Sequence, residues 1–324
     1  MDNVFLYLLG AGASCHVLPL ASNFATRLVS FASELKIAGP KDGYGTPTTS
    51  PDDPTWGKNC DNLVEAVKWL AEESSHHFSV DTFAKKLFIR GDLQKLKKLK
   101  AVLSAYLVIE QSRYHVDQRY DAFFASILDY EDYDISLPKH LRILSWNYDT
   151  QLEKAFYGFC EDKDITTDGV TFNKHVYRIN GHCGTDPSGY VSEAFSATLN
   201  TAIIPAWEAG IKLYNEHIAK SSSPEPKINF AWEDLTHTKL KKVGSELLSD
   251  ITSIVVIGYS FPYFNREIDN HILEQCSNVS RIYLQCPEGT HASIEERINK
   301  NLLPHDIEII RVTNTDLFFI PDDF

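Results

Sequence analysis

The sequence predicts an α/β protein: a Rossmann-like parallel sheet with helices on both faces and a helical insertion. Three observations point to it. Apolar runs of strand length recur along the chain, the first of them ends in a glycine turn, and helical stretches separate the last three. Residues 3–9 (Asn-Val-Phe-Leu-Tyr-Leu-Leu) run almost unbroken into Gly10, as expected of a strand covered on both faces. Segments 141–145, 176–179, 251–257, 281–285 and 307–312 repeat that character, and helical patterns over 268–276 and 292–299 separate the last three strands.

Between the first strand and the second, the pattern changes twice. Phe24, Leu28, Phe31 and Leu35 recur at helical spacing over 23–35. Residues 38–60, rich in Pro, Gly, Thr and Asp, read as loop. Residues 62–130 then read as largely helical, with Asp92 as an N-cap and Leu93, Leu96, Leu99, Leu103 and Leu107 as an apolar stripe. The expected organisation is therefore a Rossmann-type domain from 1–37 and 136–324, interrupted by an α-helical subdomain over 38–135. Residues 221–226 (Ser-Ser-Ser-Pro-Glu-Pro) read as a mobile loop.

Composition narrows the function classes. In 324 residues, 43% are hydrophobic and 23% charged, ordinary globular values, and the net charge is −13. An acidic chain is a poor default partner for a phosphate backbone, so direct nucleic-acid binding is not expected. The lysines at 95, 97, 98 and 100 read instead as a solvated helix face. The first ten residues carry no basic stretch and read as a strand, not a signal peptide, and no run has the length of a membrane span. The closest two of the six cysteines, Cys276 and Cys286, are ten positions apart, which disfavours a zinc ribbon or a disulfide framework. A cytoplasmic protein with reduced thiols and no metal is the expectation.

Four strand ends carry polar or glycine-rich turns, where ligands meet parallel sheets. Gly10-Ala11-Gly12-Ala13-Ser14 sits between the first strand and first helix, where glycines let backbone amides approach a pyrophosphate. The third glycine of the dehydrogenase fingerprint is replaced by Cys15, and no acidic residue stands clearly after a second strand to hold a ribose. Asn147 and Asp149 follow the strand at 141–144; they could hydrogen-bond a ribose or a water, or cap a helix starting near Thr150. His182, in Asn180-Gly-His-Cys-Gly184, is a candidate general base or a structural histidine. Gly258 and Ser260 repeat the strand–glycine–hydroxyl logic.

Taken in order, Gly10-Ala-Gly-Ala-Ser14, Asn147-Tyr-Asp149, Asn180-Gly-His-Cys-Gly184 and Gly258-Tyr-Ser260 resemble the sirtuin-like superfamily. The resemblance is to its bacterial branch of NAD-cleaving anti-phage defence proteins, over residues 1–36 and about 140–285. It implies an NAD glycohydrolase that releases nicotinamide and ADP-ribose and depletes NAD during abortive infection. Gly10, Ala11, Gly12 and Ser14 would then hold the pyrophosphate and Gly258 and Ser260 the nucleotide. Asn147 would position the ribose or a water, Asp149 would support it, and His182 would accept a proton. Family members place that histidine directly before glycine; aligned on Arg178-Ile179, the position holds Asn180, with His182 two residues on. The resemblance further implies a homo-oligomer or a partner such as a HerA-type ATPase. The zinc cysteines of deacylating members have no counterpart here, so deacylation is a minor reading. A non-catalytic NAD or ADP-ribose sensor is the main alternative.

Overall fold

All six apolar runs form strands of one parallel sheet in the computed structural model. It describes residues 3–38, 54–131, 134–160, 174–184, 203–219, 227–230, 232–233, 247–298, 302–303 and 307–324. In chain order the elements begin with β1 (Phe5–Leu9), a 3₁₀ turn (Ala11–Ser14) and α1 (Ala21–Ala38). Next come α2 (Pro54–Ser75), α3 (Val80–Ile89), α4 (Leu93–Ser112) and α5 (Gln118–Ile127). A small antiparallel pair, β2 (Asp129–Glu131) and β3 (Asp134–Ser136), precedes β4 (Leu141–Ser145), α6 (Gln151–Gly158) and β5 (Val176–Arg178). The chain continues through α7 (Ile203–Ala219), β6 (Ser253–Ile257), a 3₁₀ turn (Tyr263–Asn265) and α8 (Arg266–Gln275). It closes with β7 (Arg281–Gln285), α9 (His291–Glu295) and β8 (Glu308–Val312).

The strand order is β5-β4-β1-β6-β7-β8, the doubly wound Rossmann order, with its topological switch between β1 and β6. Alternation along the strands divides the core in two. Leu6, Leu8, Ile254, Val256, Ile282 and Leu284 pack on α8 and on Ile294 of α9. Phe5, Tyr7, Leu9, Ile143, Val255 and Ile257 pack under α5, α6 and the C-terminal Phe318. Both faces are thus covered, which is why these strands read as apolar runs and not as alternations.

The segment expected as one helical subdomain distributes itself over two clusters. Helices α2, α3 and α4 join α1 and α7 in a separate apolar layer built on Leu28, Phe31, Leu70, Val102, Tyr106 and Ile211. Helix α5 instead lies on the sheet, with Tyr120, Phe123 and Phe124 buried there. Asp92 caps α4 by accepting the Lys95 N–H at 3.2 Å; of the leucine stripe, only Leu93 in the exposed first turn misses the core. Arg27 of α1 bridges Glu34 and the buried Glu110 of α4, donating to Glu110 Oε2 at 2.8 Å, and so ties that layer together. Residues 54–60, expected as loop, are the first turns of α2; the α7 helix and the β2–β3 pair were not legible in the sequence pattern. The loop expected at 221–226 lies outside the described residues. Among the described residues, no helix is long and apolar enough to cross a membrane.

Candidate functional site

Strand register brings the turns together. Leu9 pairs with Ser145 on one side and Ile257 on the other, and Ser145 pairs with Arg178. The carboxyl ends of β1, β4, β5 and β6 therefore finish flush, and the residues after them open on one edge of the sheet.

At the switch point two turns touch backbone to backbone. Gly10 donates its N–H to Ile257 O at 3.0 Å, and Gly12 donates to Gly258 O at 3.0 Å. A Cβ on Gly12 would lie 2.7 Å from Gly258 Cα. The glycines here serve a close approach, and the two amides expected to meet a pyrophosphate are committed to carbonyls of the β6 end. Arg119 fixes the same turn from outside, donating to Gly12 O (3.3 Å) and Ala13 O (3.0 Å) while paired with the buried Asp117 at 2.6 Å.

A cavity of about 260 Å³ lies between these strand ends and the helical layer. Its sheet-side wall includes Ala11, Ser14, Asn147, Asp149, Asn180, Gly258 and Ser260; its helical wall includes Phe24, Asp81, Leu103 and Leu107. Six expected site residues therefore share one cavity: Ala11, Ser14, Asn147, Asp149, Gly258 and Ser260. Gly10 and Gly12 stand behind it in the turn contact. His182 is not on the lining. Its Nδ1 lies 2.8 Å from Cys183 O and its N–H donates to Lys227 O at 3.3 Å, whereas Asn180, two residues earlier, is on the wall. The proton-acceptor role expected of His182 finds no support in this geometry.

Ser14 is the hub of the polar wall. Its hydroxyl is 3.1 Å from Tyr120 OH and receives the Asn147 amide N–H at 3.4 Å. Asp149 accepts the N–H of Gln151, the first residue of α6, at 3.0 Å from a position just before the N-cap Thr150, and it also lines the cavity. Burial raises the Asp149 carboxyl above the usual range, against the opposing pull of the Gln151 amide, Arg178 and the Ser14 hydroxyl. The backbone on either side of the Trp146–Asn147 step is held by the end of β5 and the turn after it. Arg178, in an ion pair with the buried Glu153, donates to Asn147 O at 2.9 Å, and Asn180 Nδ2 donates to Trp146 O at 3.0 Å.

The wall beyond is aromatic. Trp146 and Tyr259 stack at 5.1 Å with their planes 7° apart, and Tyr259 OH donates to the Asp269 carboxyl at 2.9 Å. Gly258 (φ 61°) and Phe261 (φ 46°) are both left-handed, which folds the Tyr259–Ser260 turn back over the strand end. Burial pushes the Asp269 carboxyl up to about 8. The folded state thus holds this proton far more tightly than an unfolded chain, where an Asp titrates near 4. Between those two values the native state carries the extra proton, so stability falls as pH rises from about 4 to about 8 and levels off above. Asp269→Asn removes that component. Denaturant titrations are expected to show the variant gaining on the parent by on the order of a few kcal/mol across that window; a pH-independent difference contradicts this account.

Several of these groups had no sequence signal. Asp81 enters from the start of α3, where it accepts the Tyr148 phenol at 2.7 Å and is raised by burial. Tyr120, Arg119 and Arg178 reach the site from α5, its start and β5, contacts that no local pattern encodes. Of the ionisable groups lining the cavity, Asp81 and Asp149 are acids and none of the described residues on its wall is Lys, Arg or His. Among the described residues, no group of three or more His, Cys, Asp or Glu side chains is arranged to hold a metal ion. In comparison with known proteins, no family model matches this chain and no curated protein matches it.

Proposed function

We propose that this chain cleaves NAD at the nicotinamide–ribose bond in the cavity above β1, β4, β5 and β6. The observation that carries the reading is the convergence of Ser14, Asn147, Asp149, Asn180 and Ser260, from four strand ends, on one cavity at the switch point of a Rossmann-ordered sheet. Its volume of about 260 Å³ is below the roughly 300–1,000 Å³ of most small-molecule pockets. It suits the nicotinamide riboside half, with the remaining phosphates and adenosine running out over the rim.

The chemistry of the wall supports bond cleavage. Nicotinamide leaves NAD as a neutral molecule, and the transition state resembles an oxocarbenium ion. Asp149, and Asp81 across the cavity, are the acidic groups available to offset developing positive charge, which they do in the ionised form that burial disfavours. Asn147 and Ser14 supply hydrogen bonds to a ribose or to the incoming water, held in place by Tyr120, Arg178 and Glu153. The apolar side of Phe24, Leu103 and Leu107 limits water and accepts the leaving ring.

A second reading is favoured by one observation: among the described residues no histidine lines the cavity, and an amide, Asn180, is on its wall. A sheet of this kind could bind NAD or ADP-ribose without turnover. Incubating the purified chain with NAD and separating the products by mass spectrometry distinguishes the two. Stoichiometric nicotinamide and ADP-ribose are expected; bound but intact NAD supports the sensor instead. A role in NAD depletion during phage infection, self-assembly and a HerA-type partner are further proposals carried by the resemblance alone.

A further inference from the structure

We infer that the turn between α3 and α4 seats this chain on an anionic lipid surface. None of the residues involved lines the cavity, and the NAD reading is not needed for it. Three large apolar side chains stand exposed within six positions: Phe88 and Ile89 at the end of α3 and Leu93 at the start of α4. Ile89 is 73% exposed and Leu93 61%. The turn that presents them is firmly built. Gly91, left-handed at φ 71°, donates to Phe88 O at 2.9 Å, Asp92 donates to Leu87 O at 3.0 Å, and the Asp92 carboxylate caps α4. A Cβ on Gly91 would meet nothing within 4 Å, so the turn opens on solvent there. Its hydrogen bonds require no apolar side chain at 88, 89 or 93, and adjoining exposed apolar residues mark a contact surface.

The charges around this tip say what it meets. Residues 85–100 hold seven Lys and Arg against one acid, Asp92, in a chain of net charge −13. Lys98 and Lys100 are engaged within the molecule, over the Trp69 ring and with Glu233. The others surround the tip. Helical spacing sets Lys85 and Lys86 one turn before Ile89 and Lys97 one turn after Leu93, each about 5 Å back from the tip along its helix; Arg90 lies in the turn itself. Apolar side chains lead and cations follow, the complement of a bilayer face whose acyl chains lie beneath anionic headgroups. Charge elsewhere on this acidic chain is screened beyond about 8 Å at physiological salt, so the local positive charge decides. A nucleic-acid backbone would use the cations but leave three apolar side chains in water. Docking of this kind needs no spanning helix, and none occurs among the described residues.

Sedimentation with vesicles of equal parts phosphatidylglycerol and phosphatidylcholine tests this, against vesicles of phosphatidylcholine alone. The parent protein is expected to pellet with the first and not the second, and less so as salt is raised. Arg90→Gln combined with Lys97→Gln should weaken binding about thirtyfold, at about fivefold for each cation near an anionic surface. Ile89→Ser combined with Leu93→Ser should weaken it about tenfold or more. Both double variants should keep the parent's urea midpoint, because the sites are on the surface. A parent protein that stays in solution with both vesicle types, or pellets equally with both, overturns the inference, as do folded variants that bind like the parent. Binding to duplex DNA without binding to vesicles also overturns it and assigns the cations to a nucleic acid. Self-association without vesicle binding, abolished by the Ser variant, overturns it and assigns the tip to a second copy of the chain.

Discussion

Asn147→Ala is expected to lower the rate of NAD cleavage by about 10²–10³-fold, the usual effect of removing one preorganised donor from a reacting centre. Its stability should change little, because the side chain makes a single long bond, 3.4 Å to Ser14, and loss of such a bond costs about 1 kcal/mol or less. The position itself is held by other residues: Ser145 Oγ accepts the Asn147 N–H at 3.2 Å, and Arg178 donates to its carbonyl at 2.9 Å. The backbone should thus stay in place when the side chain is cut, and the loss should appear in kcat more than in KM. His182→Ala provides the contrast. Because His182 is not on the cavity wall, that variant is expected to keep most of the activity. Steady-state nicotinamide release from the two variants, with thermal unfolding as a control, decides the matter. A fully active Asn147→Ala protein removes this residue from the mechanism.

The second large effect is on the fold. Gly258→Ala places a Cβ 2.4 Å from Gly12 C and 2.5 Å from Ala13 N, distances that non-bonded atoms do not reach. The contact is with backbone on the central strand's turn, so no side chain can rotate away. The residue also has φ 61°, where a Cβ adds strain. Separating the turns would break the Gly12 N–H bond to Gly258 O. Overpacking and strain together lead to an expected loss of about 3 kcal/mol or more, read from the midpoint of urea unfolding. Gly289→Ala controls for the substitution: it is also left-handed, φ 86°, but a Cβ there meets nothing within 4 Å. Equal stability of Gly258→Ala and Gly289→Ala would show that the close approach of the turns is not required.

How much of this could be read from the chain follows from where the information sits. All six strands of the main sheet were legible, because burial on two faces writes itself into consecutive apolar residues such as Phe5–Leu9 and Ser253–Ile257. The glycine turns after β1 and β6 were legible as well, though not their reason: each glycine is required by the other, across roughly 250 positions of sequence. Which side chain of the histidine turn meets the cavity was not legible, because alternation ceases to guide beyond the strand end. Gly181 is left-handed (φ 70°) and bridges Ile228, and a Cβ on it would strike Lys227 O at 1.8 Å. That long-range contact sets the turn so that Asn180, not His182, joins the wall. Asp81 and Tyr120 were silent for the same reason. Each belongs to a helix whose local pattern describes burial, while its role depends on where that helix docks.

The account stands on one cleft holding one dinucleotide above the ends of β1, β4, β5 and β6. A crystal structure of the chain with ADP-ribose tests that directly. The account predicts the distal ribose against the wall formed by Ser14, Asn147 and Asn180, within hydrogen-bonding distance, about 3 Å, of Asn147, with the pyrophosphate running out over the rim. ADP-ribose bound elsewhere on the molecule, with the wall from Ser14 to Asn180 untouched, would contradict it.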